Sequence, residues 1–94
     1  MIILLFLNVL KFAELEVVHV TTNSVILHIL VSDHVNTIFR IEVDGQQWAH
    51  TVKSVYTVSG LARDRKYTFS VTVVRNEMFV STMSQTAQTL QLSE

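Results

Sequence analysis

Cysteine and proline are both absent from the 94-residue chain, and glycine occurs only at Gly45 and Gly60. Without cysteine there is no disulfide, no thiolate metal ligand and no thiol nucleophile. Stability must therefore come from packing, and the redox compartment is left open. Proline and glycine are the usual turn formers, so other residues must turn the chain. Asn, Asp and Ser stand at the expected breaks: Asn23-Ser24, Ser32-Asp33, Asp44-Gly45, Arg63-Asp64 and Asn76. An excess of one charge is lacking too, because seven Lys and Arg against eight Asp and Glu leave a net charge of −1. Phosphate binding needs clustered basic residues, so nucleic acid is excluded as a partner. The one local group, Arg63, Arg65 and Lys66, is interrupted by Asp64 and reads as a solvated loop.

Apolar residues are plentiful, at 49% of the chain, which excludes a disordered segment. The length suits one domain. A domain this small buries only about 60–65% of its unfolded surface, so its core must be used efficiently.

Residues 1–14 form an apolar leader. The unbroken run from Met1 to Leu7 is far short of the roughly 20 residues that span a bilayer, so membrane association is expected only through a parent chain. An apolar stretch near a start Met resembles a signal peptide, but no basic residue precedes it and no small-x-small site follows. The leader reads as signal-like, as non-native, or as an extra strand packed on the domain.

Residues 15–92 read as a domain of short strands with period-two alternation. Strands are expected at 15–19, 24–31, 37–43, 48–52, 54–58, 66–74 and within 82–90. The clearest is 66–74, with Tyr67, Phe69, Val71 and Val73 facing inward and Thr68, Ser70 and Thr72 outward. No segment after Phe12 has the apolar spacing of a helix, and the runs are β-branched and aromatic. Seven strands with regular turn signals imply an all-β sandwich or barrel.

Gly60, Leu61 and Tyr67, with Tyr67 opening the most strictly alternating strand, resemble the tyrosine corner of fibronectin type III domains. That corner usually reads Leu-x-Pro-x-Thr-x-Tyr after a Gly; here Arg63, Asp64 and Arg65 stand in the intervening loop. Leu15-Glu16-Val17, Asn23-Ser24-Val25-Ile26-Leu27, Phe39-Arg40-Ile41-Glu42-Val43 and Ser84-Gln85-Thr86-Ala87-Gln88-Thr89-Leu90 are similar to the family's first, second, third and last strands. The resemblance implies an immunoglobulin-like β-sandwich of seven antiparallel strands in two sheets. It also implies a structural corner in which the Tyr67 hydroxyl bonds backbone and Leu61 is buried. The family's core Trp falls where this chain has Ile29, and Phe6, Phe12 or Trp48 is expected to fill that volume.

Four histidines, His19, His28, His34 and His50, lack any ligand spacing and read as surface or edge residues. No nucleophile elbow, Gly-rich phosphate loop or conspicuous carboxylate pair is present. The chain is read as a non-enzyme with no cofactor, no metal and no small-molecule substrate. Partner contacts are assigned to Arg75, Asn76, Glu77, Met78 and Phe79, a loop before the last strand, and to Trp48. Two alternatives stay open: that Phe79 begins the last strand and points inward, and that Trp48 packs on the sheet edge or the leader. The favoured function is a protein-interaction or spacer module of a larger, receptor-type chain, extracellular or at the cell surface, with a protein partner or neighbouring domains. The alternative is a weak homodimer driven by the leader or by strand edges.

Overall fold

The computed structural model describes residues 13–32 and 34–91. The expected packing of the leader, and the parts assigned to Phe6 and Phe12, lie outside the described residues.

Seven strands form: β1 (Ala13–Val20), β2 (Val25–Val31), β3 (Thr37–Val43), β4 (Gln46–Thr51), β5 (Val55–Val58), β6 (Lys66–Arg75) and β7 (Met78–Gln88). They make two sheets, one of order β1-β2-β5 and one of order β4-β3-β6-β7, and all pairings are antiparallel. This is the all-β, two-sheet sandwich that the family resemblance implies. The inward residues of both sheets close one core: Leu15, Val25, Leu27 and Ile29 from one side, Phe39, Ile41, Phe69, Val71 and Val73 from the other. Period-two side-chain alternation is what lets each sheet bury one face and solvate the other.

Two boundaries differ from the sequence reading. β1 begins at Ala13, because Ala13 pairs with Val31 and Glu14 with Leu30. β7 begins at Met78, four residues before 82, because Asn76 and Glu77 alone make the turn from β6. Both have positive φ, 53° and 67°, the left-handed pair of a type I′ hairpin turn. The expected five-residue loop is thus a two-residue turn flanked by strand ends.

The shortage of glycine is met the same way elsewhere. Asn36, Asp44 and Asp64 take positive φ alongside Gly45 and Gly60. Asn and Asp tolerate this region better than other residues that carry a Cβ.

Trp48 does not fill the core. It is 42% exposed, at the point where β4 slips register between Ile41↔Ala49 and Glu42↔Gln47. The extra residue leaves Ala49 opposite buried Ile41 and Trp48 unpaired. Ile29 itself is fully buried, and the largest fully buried side chains among the described residues are Phe39 and Phe69.

Candidate functional site

The strand directions sort the connections into two poles. At one lie the β1–β2 turn, the Asp44-Gly45 turn, the β5–β6 connection and the end of β7. At the other lie the start of β1, the β2–β3 and β4–β5 connections and the Asn76-Glu77 turn. The described chain therefore enters at one pole and leaves at the other.

The first pole holds the corner. Gly60 turns the chain at φ 77°, and the buried Leu61 donates its N–H to Asn23 O at 3.0 Å. The Tyr67 hydroxyl accepts the Ala62 N–H at 2.8 Å, and its ring is 7% exposed. Thr89 completes the arrangement. It is 2% exposed; its hydroxyl donates to Ala62 O at 2.6 Å and accepts the Arg65 N–H at 3.0 Å. Both backbone polar groups of Ala62 are thereby held by side chains, one from β6 and one from the residue that follows β7. The Arg65 guanidinium lies 4.9 Å from the Tyr67 ring centroid and 3.6 Å from the Asp44 carboxylate. Asp44 also accepts the Thr68 N–H at 2.9 Å. Asp64, in the left-handed region, turns the loop without glycine and accepts from Gln88 Nε2 at 2.9 Å. Sequence reading had no signal for Thr89, since a Thr near a strand end is common and its partners lie 24 and 27 residues away.

Tyr67→Phe removes the acceptor for a part-buried N–H. It is expected to cost about 1–1.5 kcal/mol, read as a lower urea midpoint at unchanged slope. An unchanged midpoint would show that this hydroxyl carries no weight.

The second pole holds the candidate contact surface. Arg75 ends β6, Asn76 and Glu77 form the turn, and Met78 and Phe79 open β7. Asn76 N–H donates to Asn36 O at 3.2 Å, tying the turn to the β2–β3 connection. Phe79 does not point inward: it is 72% exposed, next to Met78 at 69% and Val80 at 45%. β7 slips register here, with Phe79 opposite Val74, Ser81 opposite Val73 and Val80 left over. Ile38, Val74 and Phe79 are successive cross-strand partners, so an apolar row crosses the outer face of the four-stranded sheet. Arg40 reaches from β3 to place its guanidinium 5.3 Å from the Phe79 ring centroid. A shallow groove of about 730 Å³ adjoins the row, lined by His34, Asn36, Ile38, Val52, Val74 and Glu77 among others.

Trp48 lies on β4, the far edge of the same sheet. Three strand spacings, roughly 14 Å, separate β4 from β7, so the two sets of predicted contact residues are not brought together. The sequence reading overlooked Val80, Ile38 and Val52. One signal was available: three consecutive apolar residues in a strand cannot all face the core.

The histidines stand apart. His28 Nδ1 is 3.7 Å from Glu16, its cross-strand partner on the outer face of the other sheet, and His34 meets Phe39 edge-on at 6.3 Å between ring centroids. Among the described residues no three His, Asp or Glu side chains gather as metal ligands would.

No family model matches the sequence, and no curated protein matches it. Among solved structures it is similar to the central fibronectin-III array of RIM-binding protein, at a TM-score of 0.71 and 17% identity over 88% of this chain. The chain spans about a third of the length of that array, 33%. Strand order, corner and structural likeness agree: this chain has the fibronectin type III fold.

Proposed function

We propose that this domain is a non-catalytic protein-interaction and spacer module of a larger chain, and that the start of β7 is its contact surface. The observation that carries the reading is the consecutive exposure of Met78, Phe79 and Val80 beside a two-residue hairpin turn. Three neighbouring exposed apolar residues are costly for solubility and mark interaction sites when contiguous. Glu77 at positive φ adds local strain of a kind that clusters at binding sites. The spacer role is supported by entry and exit at opposite poles and by the fold's occurrence in a tandem array. Neighbouring domains or a separate protein are the partners this surface suits. A cofactor is not needed for either role.

Photo-crosslinking in cells tests the proposal. A photoreactive phenylalanine analogue at position 79 is expected to give a discrete protein adduct, whereas one at Thr57, on the other sheet, gives none. Met78→Ser should lower the adduct yield about tenfold, as for losing an apolar anchor, with the thermal midpoint unchanged because Met78 lies outside the core. Equal labelling at 57 and 79 would remove the surface from consideration.

A further inference from the structure

Register arranges the outer face of the four-stranded sheet in rows. Ile38, Val74 and Phe79 make the apolar row nearest the second pole. The next row is His50, Arg40, Thr72 and Thr82, and the one after it is Gln47, Glu42, Ser70 and Ser84. Arg40 and Glu42 stand two positions apart on β3, so they share this face and lie within reach of each other. They form no ion pair: among the described residues the pairs are His28–Glu16 and Arg65–Asp44. The half-buried Arg40 turns the other way, to the Phe79 ring at 5.3 Å. Its guanidinium has no hydrogen-bond acceptor among the described residues. The first pole carries the completed form of the same arrangement. There Arg65 lies 4.9 Å from the Tyr67 ring centroid and also meets the Asp44 carboxylate at 3.6 Å. Arg40 has the ring and lacks the carboxylate.

We infer that the partner supplies it: an Asp or Glu side chain of a protein segment whose flanking apolar residues lie on Ile38, Val74 and Phe79. The inference rests on the reading of Met78–Phe79–Val80 as a contact surface and names the chemistry that this surface meets. The aromatic ring covers one face of the guanidinium and leaves its edge of N–H donors free. That edge matches a carboxylate in two parallel hydrogen bonds. An apolar partner laid over the row excludes water beside the pair, and the lower dielectric strengthens it. Glu42, one row beyond Arg40, and Glu77 at the turn both repel an incoming carboxylate. They confine it to the guanidinium, on the side of the Phe79 ring.

NMR titration of the full chain with capped tripeptides is the test. The probes are leucine–glutamate–leucine and the same peptide with glutamine or lysine at its centre. The Arg40 side-chain N–H and the amides of residues 78–80 report binding. The glutamate peptide should bind about three- to tenfold tighter than the glutamine peptide, as for a charge-assisted pair at a partly exposed site. The lysine peptide should bind weakest. Arg40→Gln should abolish the preference with little change in thermal midpoint, since Arg40 lies outside the core. Phe79→Leu keeps an apolar side chain but loses the ring, and should reduce the preference. Glu42→Gln should tighten the glutamate peptide about twofold, a gain that a purely structural Arg40 would not give. Binding that does not distinguish the three peptides, absence of binding included, would overturn the inference. So would tighter binding of the lysine peptide, or a preference that survives Arg40→Gln. Shifts of the same signals by anionic lipid vesicles and by no peptide would assign the row to a membrane surface instead. In cells, Arg40→Gln should also lower the adduct yield from position 79. An undiminished adduct would sink the carboxylate alone and leave the contact surface standing, whereas equal labelling at 57 and 79 removes the surface itself.

Discussion

Phe69→Ala is expected to lower unfolding stability by about 3–5 kcal/mol, the range for truncating a buried aromatic. Phe69 is fully buried, stands beside Tyr67 at 6.2 Å between ring centroids, and pairs across β3 with Val43 and across β7 with Gln85. It is one of the two largest side chains wholly inside the described core, and the backbone of both neighbouring strands limits how far the site can collapse. A domain of this size has a net stability of only about 5–10 kcal/mol, so the loss removes roughly three tenths of it or more. Thermal unfolding by circular dichroism should show a midpoint lower by at least roughly 12 °C. Phe69→Leu, which keeps most of the volume, should cost about half as much. A drop below about 1 kcal/mol for the alanine variant would mean that Phe69 does not sit at the centre of the core.

Thr89→Val has the next largest effect, about 2–3 kcal/mol, although the two side chains have nearly the same shape. The substitution strips the partner from the Arg65 N–H and from Ala62 O at one stroke. Part-buried backbone groups left without partners cost about 1–3 kcal/mol each, more than the bond was worth when made. The closing strand end is also weakened, because Thr89 N–H bonds Arg65 O at 3.0 Å and Leu90 N–H bonds Thr21 O at 2.9 Å. Urea denaturation checks the size of the effect, and Thr89→Ser serves as the control. Serine keeps the hydroxyl and loses only a methyl, so it should cost about 1 kcal/mol or less. A valine variant as stable as the serine variant would show that the hydroxyl network contributes nothing. Thr89→Val combined with Tyr67→Phe should be non-additive, since both hold Ala62.

The corner is partly legible in the sequence. Leu61 and Tyr67, six positions apart before an alternating strand, pointed to it. The substitutes for its missing proline and glycine were not visible. Asp64 supplies the left-handed turn and Arg65 covers the Tyr67 ring, and each is held by a partner far away in the chain, Gln88 for Asp64 and Asp44 for Arg65. The contact surface divides in the same manner. Its residues Met78 and Phe79 were conspicuous as apolar groups beside Asn76. Their strand position was not, because a Glu in the left-handed region at 77 is uncommon and gives no cue for a two-residue turn. Trp48 was one of three residues, with Phe6 and Phe12, expected to compensate for Ile29, and a one-residue register slip on β4 leaves it facing solvent.

Local pattern by itself determined the class of fold. Alternation with period two, turn residues at the breaks and the lack of helical spacing allow one kind of element, and seven such elements close into a sandwich or a barrel. What the tertiary structure decided was everything that depends on register between strands. Which three consecutive apolar residues stay outside and which hydroxyl reaches Ala62 are set by pairings between residues 5 to 27 positions apart. A shift of one residue moves a side chain from core to solvent, and period alone carries no information about that shift.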